Sequence, residues 1–150
     1  MPDPITILIV DDHEVVRKGI RSYLDTQPDF QVVGEAGSGE EAVEIISRLN
    51  PDIVLLDMIM PGINGIEITC RIKKISPRTQ VVILTSASGG EYRFPALKAG
   101  AISYLLKDIK MEKLADALRC AARGEATLHP QVAASILHIS AASNTRMTCS

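Results

Sequence analysis

Short, nearly unbroken apolar runs of strand length alternate with amphipathic stretches of helix length along most of this chain. The runs are 5–10 (ITILIV), 53–56 (IVLL), 81–84 (VVIL) and 104–106 (YLL), with a less apolar short strand at 31–36 (QVVGEA). A strand that is apolar at successive positions has no face to offer water. It belongs in a parallel sheet covered on both sides. The intervening stretches carry apolar residues at helical spacing: Val16, Ile20 and Leu24 within 13–26; Ala42, Ile45, Ile46 and Leu49; Ile68 and Ile72 within 64–75; Leu114 and Leu118 within 111–123. Stop signals follow at Pro28, Asn50-Pro51, Ser76-Pro77 and Gly124. Ser38 with Glu41 three residues later reads as a capping box, and Pro61-Gly62 with Gly65 as a tight loop. The expectation is a doubly wound α/β domain with a five-stranded parallel sheet and five flanking helices.

Each of the four main runs stops on a residue that handles phosphate or metal. The first ends at Asp11-Asp12, the second at Asp57, the third at Thr85 and the fourth at Lys107. Parallel strands gather these ends along one edge of the sheet, where open α/β proteins bind ligands. Capping accounts for one of Asp11 and Asp12, not both. Two carboxylates about 5 Å apart repel by roughly 3 kcal/mol at an effective dielectric near 20. A trio therefore calls for a cation or shifted pKa values. Magnesium fits, since it keeps several waters and takes one or two carboxylates. A lysine ammonium suits phosphate as a point charge, and a threonine hydroxyl donates to a phosphoryl oxygen.

Other features carry less. Gly37-Ser38-Gly39 lacks the third glycine of a dinucleotide loop. His13, His129 and His138 do not form a metal-ligand cluster; His13 reads as a helix N-terminal residue beside the crevice rim. Cys70 reads as helix-core filler. The length of 150 residues suits one domain. A formal net charge of −2 supplies no basic footprint, so DNA contact would need residues outside this chain or a dimer partner. No run reaches the length of a membrane span and the N-terminus lacks a signal-peptide pattern. Three widely spaced cysteines fit a reducing compartment, and the expected location is cytoplasmic.

At these residues the chain resembles a response-regulator receiver domain, from about Ile5 to Gly124. The resemblance rests on the Asp11-Asp12 pair, Asp57 followed by Met60-Pro61-Gly62 and Gly65, Thr85, the run Lys98-Ala99-Gly100-Ala101, and Tyr104 through Lys107-Asp108. Lys107-Asp108, the run Ala122-Arg123-Gly124-Glu125 and the context of Pro130 resemble the NarL/FixJ subfamily. The resemblance implies a flavodoxin-like sheet of order 2-1-3-4-5 and a receiver at 1–124. It also implies a linker at 125–150; within it Val132, Ile136 and Ile139 share one side of an expected short helix at 130–139, and the aperiodic polar stretch 140–150 should be mobile. Asp57 would accept a phosphoryl group from a sensor histidine kinase. Asp12, Asp57 and the main-chain carbonyl of Ile59 would bind Mg2+, with Asp11 acting mostly through water. Lys107 and Thr85 would contact phosphoryl oxygens, and Thr85 and Tyr104 would act as the switch. A second copy of the chain is a further implied partner, and DNA only through an output domain beyond this sequence.

Two departures stand out. Pro95 falls where the fourth helix should run, after the glycine-containing stretch 86–90. Proline costs a helix interior about 3 kcal/mol and disfavours a helical residue before it. The fourth helix is therefore expected to be short, beginning near Pro95, or displaced, with Phe94 outside it. Ile59 and Ala87 stand where the family places side chains that govern water access, and both are apolar. The competing functions are a stand-alone phosphorelay or interaction receiver and, from another class, a Mg2+-dependent phosphohydrolase. The latter is disfavoured because Asp57-Met58-Ile59 lacks the second Asp of an Asp-x-Asp motif. The reading is of a self-phosphorylating switch, not a turnover enzyme. With no side chain at position 59 to orient water, the phosphoryl group should be long-lived. Ile59→Asn should shorten its lifetime, measured by loss of the phosphorylated mass over time; an unchanged lifetime would refute this.

Overall fold

β1 (Ile5–Val10) divides its side chains between two cores. Ile7 and Ile9 join one apolar cluster, and Leu8 and Val10 join the other. The same two-residue alternation runs through β3 (Ile53–Asp57) and β6 (Gln80–Thr85): Ile53, Leu55, Val82 and Leu84 face one way, Val54, Leu56, Val81 and Ile83 the other. This is the physical content of the unbroken apolar runs. Each fully buried aliphatic side chain contributes about 1.5–3 kcal/mol, so neither face can be left uncovered.

The computed structural model describes residues 3–60, 63–86 and 93–126. With β2 (Phe30–Ala36) and β7 (Ser103–Leu106), these strands form a five-stranded parallel sheet in the order β2-β1-β3-β6-β7. Counted among themselves, the five run 2-1-3-4-5, as expected. β4 (Ile59–Met60) and β5 (Ile63–Asn64) form a separate two-residue antiparallel ribbon. α1 (Glu14–Leu24) and α5 (Met111–Ala122) cover one face of the sheet, through Ile20, Leu24, Leu114 and Leu118. α2 (Gly39–Leu49), α3 (Gly65–Ile75) and α4 (Arg93–Lys98) cover the other, through Ala42, Ile46, Ile68, Ile72 and Ala96.

Local signals mostly act as their chemistry requires. Ser38 caps α2, its Oγ accepting from the Glu41 amide at 3.2 Å. The return bond differs from a capping box: the Glu41 carboxylate accepts from the Gly37 amide at 2.7 Å, one residue earlier. Leu49, at the end of α2, is 49% exposed and not part of the core. Asn50 ends the helix in the left-handed conformation at φ 44°, and Gly124 follows α5 at φ 77°.

α4 spans six residues, fewer than any other described helix. It begins at Arg93, so Phe94 lies inside the helix, contrary to expectation. Pro95 stands third, where the missing N–H falls among amides that have no intrahelical acceptor. The proline is therefore compatible with the start of a helix. Among the described residues Cys120 is a free thiol, and Cys70, on α3, is half-buried. The expected helix at 130–139, the tail, and the stretches 61–62 and 87–92 lie outside the described residues.

At the edge opposite the strand C-termini, Asp52 ties three elements together. It accepts from the Thr6 amide at 2.9 Å and hydroxyl at 3.1 Å, and pairs with Arg78. Burial alone would raise its carboxyl; the Thr6 and Arg78 donors outweigh that and hold it below its ordinary value. A carboxyl depressed in the folded state stabilises the fold above its unfolded value and loses that contribution as pH falls through the folded one. Asp52→Asn should thus destabilise the protein at neutral pH, with the gap narrowing towards about pH 2. Urea denaturation at both pH values checks this; a pH-independent gap would exclude the charge as its source.

Candidate functional site

The chain leaves β1, crosses to β2 at the edge, and returns on the other side of β1 to form β3. β1 and β3 are thus neighbours whose connections diverge, and the divergence opens a crevice at their C-terminal ends. Asp11 and Asp12 follow β1, and Asp57 is the last residue of β3. Asp11 and Asp57 are buried, 3% and 4% exposed, while Asp12 is more open.

One ligand atom from each of Asp11, Asp12, His13 and Asp57 lies within 4.8 Å of the others. Lys107, one residue past β7, crosses β6 to reach them. Its Nζ is 3.2 Å from Asp57 Oδ2 and 3.2 Å from Asp11 Oδ2. Burial would lower the Lys107 ammonium, but the carboxylates of Asp57 and Asp11 outweigh it and raise its pKa above the ordinary value. One ammonium against three carboxylates leaves the crevice short of positive charge. The donors are mainly hard carboxylate oxygens, the set that suits Mg2+ or a similar ion.

The β1–α1 turn holds this geometry. The Asp11 amide donates to the Ala36 carbonyl at 3.0 Å, and the His13 amide donates to Asp11 Oδ1 at 2.8 Å. His13 caps α1 without a side-chain hydrogen bond to the helix. Its Nδ1 instead lies 2.9 Å from Asp11 Oδ1 and 3.2 Å from Asp12 Oδ1. Its expected place at the helix start is met, and it also borders the acidic cluster.

Thr85 is the last residue of β6 and pairs in register with Leu106. Its carbonyl accepts from the Lys107 amide at 2.6 Å, so the two residues at the adjoining strand ends are joined through the main chain. The Thr85 hydroxyl is buried and has no hydrogen-bond partner among the described residues. A buried orphan hydroxyl costs about 1–3 kcal/mol. Tyr104, on edge strand β7, is fully buried in the cluster beneath α2, α3 and α4. The structure thus brings Asp11, Asp12, Asp57 and Lys107 together, with Thr85 next along the same edge. Ile59 lies just past Asp57, in β4.

Two contacts were not foreseen from sequence. Gly65, at the start of α3, lies against Met58: a Cβ there would be 2.9 Å from Met58 Sδ and 3.0 Å from its Cα and carbonyl oxygen. The Gly65 amide donates to that carbonyl at 3.0 Å, which ties α3 to the residue after Asp57. Arg17, on α1, donates to the main-chain carbonyl of Asp11 at 2.5 Å. The available signal was an arginine six positions after Asp11 with Glu35 near the end of the neighbouring strand. Beside Lys107, an apolar groove of about 320 Å³ runs between α1 and α5, lined by Val15, Gly19, Leu84 and Met111 among others.

The chain is similar to known two-component response regulators. The chain is 42% identical to the transcriptional regulatory protein LiaR of Bacillus subtilis over 133 residues, covering 89% of this chain and 63% of LiaR. It is 46% identical to the response regulator protein VraR of Staphylococcus aureus over 128 residues, covering 85% of this chain and 61% of VraR. The chain therefore spans about three-fifths of the length of these relatives. Among solved structures, a LuxR-family two-component response regulator from Aurantimonas superposes with a TM-score of 0.84 at 31% identity, covering 93% of this chain and 99% of that one. The receiver domain of a NarL response regulator from Mycobacterium tuberculosis gives 0.78 at 31% identity, covering 83% and 100%. The profile of the response regulator receiver domain matches residues 7–119, and the chain belongs to that family, in its NarL/FixJ-like branch.

Proposed function

We propose that Asp57 is the phosphoryl acceptor and that the acidic crevice binds Mg2+ through Asp12, Asp57 and the Ile59 carbonyl, with Asp11 acting through water. The observation that carries this reading is the Lys107 ammonium placed between Asp57 and Asp11 in a cluster where carboxylates outnumber ammonium groups three to one. An Asp57 carboxylate oxygen attacks phosphorus in line. The new O–P bond forms as the bond from phosphorus to the donor imidazole nitrogen breaks, and that nitrogen keeps the electron pair. When bound, Mg2+ supplies neutralisation of the charge on the phosphoryl oxygens. Lys107 then exchanges its contact with Asp57 for a phosphoryl oxygen, and the orphan Thr85 hydroxyl gains an acceptor. A charge-assisted hydrogen bond worth roughly 1.5–3 kcal/mol shifts a two-state balance by about ten- to hundredfold. Tyr104 follows Thr85 as the second switch residue.

The donor is a sensor histidine kinase, and the α1–α5 groove with the exposed Val15 is an apolar surface beside the site for it. Residues 1–124 form the receiver, closed by Gly124 after α5, and 125–150 form a linker. Similarity to LiaR supports control of transcription through a DNA-binding domain beyond this sequence, with pairing of two copies as an intermediate. The protein acts as a switch without substrate turnover, in the cytoplasm. Among the described residues no helix is long and apolar enough to cross a membrane.

Incubation with Mg2+ and acetyl phosphate, followed by intact mass, tests the acceptor. A gain of one phosphoryl group in the unmutated protein and none in Asp57→Asn is expected; equal gain in both would reject Asp57. Thr85→Val should leave the melting temperature of the unphosphorylated protein unchanged or raise its stability by about 1 kcal/mol, because it removes an unpartnered buried hydroxyl. A clear drop in melting temperature would mean that the hydroxyl is satisfied in the resting state.

A further inference from the structure

We propose that Arg17 is the positioning residue of the acidic crevice: its guanidinium, gripped by Glu35, fixes the turn that carries Asp11 and Asp12 and so sets the affinity for the divalent cation. This rests on the reading of the crevice as a Mg2+ site. Arg17 Nη1 donates to the Asp11 main-chain carbonyl at 2.5 Å, while its Nε donates to Glu35 Oε1 at 3.2 Å. Glu35 is itself held by Lys18 Nζ at 3.1 Å and Arg21 Nη1 at 2.8 Å. Burial would raise the Glu35 carboxyl, but Arg21, Lys18 and Arg17 hold it below the ordinary value, so it stays an anion.

The clamp joins α1, the end of β1 and the end of β2. With the Asp11 amide bonded to Ala36 and its carbonyl bonded to Arg17, the Asp11 residue is pinned at both main-chain polar groups. Gly37 lies against the guanidinium: a Cβ there would stand 3.4 Å from Arg17 Nη1, an ordinary contact distance. A planar fork can serve the carbonyl and Glu35 together; a lysine ammonium is a single point and cannot reproduce that geometry. Arg17 contacts no carboxylate of the crevice in any described hydrogen bond, so its effect passes through the Asp11 backbone.

Charge and position predict opposite outcomes. As a nearby positive charge, Arg17 would weaken cation binding, so neutralising it would tighten the site and Lys would be silent. As a clamp, it strengthens binding, and both replacements weaken it. Mn2+ serves as the probe, with free ion counted by electron paramagnetic resonance in the whole chain. Arg17→Lys and Arg17→Gln are each expected to raise the Mn2+ dissociation constant by at least about tenfold, as losses of hydrogen bonds that orient metal ligands do. The Mg2+ needed for half-maximal phosphorylation by acetyl phosphate should rise in step, while the rate at saturating Mg2+ approaches that of the unmutated protein. Glu35→Gln, which loosens the grip and leaves Arg17 in place, should move both readings in the same direction by a smaller factor, with little change in metal-free melting temperature. An unchanged constant in Arg17→Lys with tighter binding in Arg17→Gln would overturn the proposal, as would no change in any variant. If the unmutated protein binds no Mn2+, the reading of the crevice as a cation site fails and the proposal with it. If it binds and the variants match it, only the role of Arg17 fails.

Discussion

The placement of three carboxylates beside one ammonium, at the point where the sheet reverses its winding, governs the rest of the structure. Asp11 and Asp57 are buried, and a buried anion without a partner is among the most costly groups a fold can hold. Lys107 answers two of them at once. The remaining negative charge makes the crevice a good receptor for a cation. Such a cluster survives only if the surrounding structure holds it against its own repulsion. The parallel sheet does so: neighbouring strands fix the spacing of β1 and β3, and two separate apolar cores hold the strands from either side.

The strand cores and the crevice were legible in the sequence for the same reason. A strand buried on both faces must be apolar throughout, so polar residues at its end are conspicuous. Asp57, Thr85 and Lys107 stood out because nothing polar preceded them within their runs. The five strands and their order followed from the runs and the family resemblance together. The start of α4 was less legible, since Pro95 reads as a breaker in isolation and as a favourable first-turn residue once the preceding residues are helical.

Long-range contacts were the least legible. Arg17 and Glu35 are 18 positions apart, and their meeting depends on the crossing of α1 over the neighbouring strands. Leu49 is a further case: helical spacing placed it with Ile45 and Ile46, yet as the last residue of α2 it is half exposed. In β1, the register with β2 slips between Ile7 and Leu8, which no periodicity announces. Such features belong to how elements meet, and a single sequence records that only where a residue is otherwise out of place.

The contact of Gly65 with Met58 carries a mechanical meaning. Between the residue after Asp57 and the first turn of α3 the α3 side offers no side chain at all: Gly65 lies against the main chain and the thioether of Met58. Main chain on main chain leaves such a joint little slack. A small shift of the Asp57 turn cannot be absorbed by a rotamer change at Gly65, since glycine has none. It must pass as rigid displacement into α3, whose Ile68 and Ile72 lie in the same apolar cluster as Tyr104 and Ala96. The helix is thereby a lever with its fulcrum beside Asp57, and its far end lies a full helix length away.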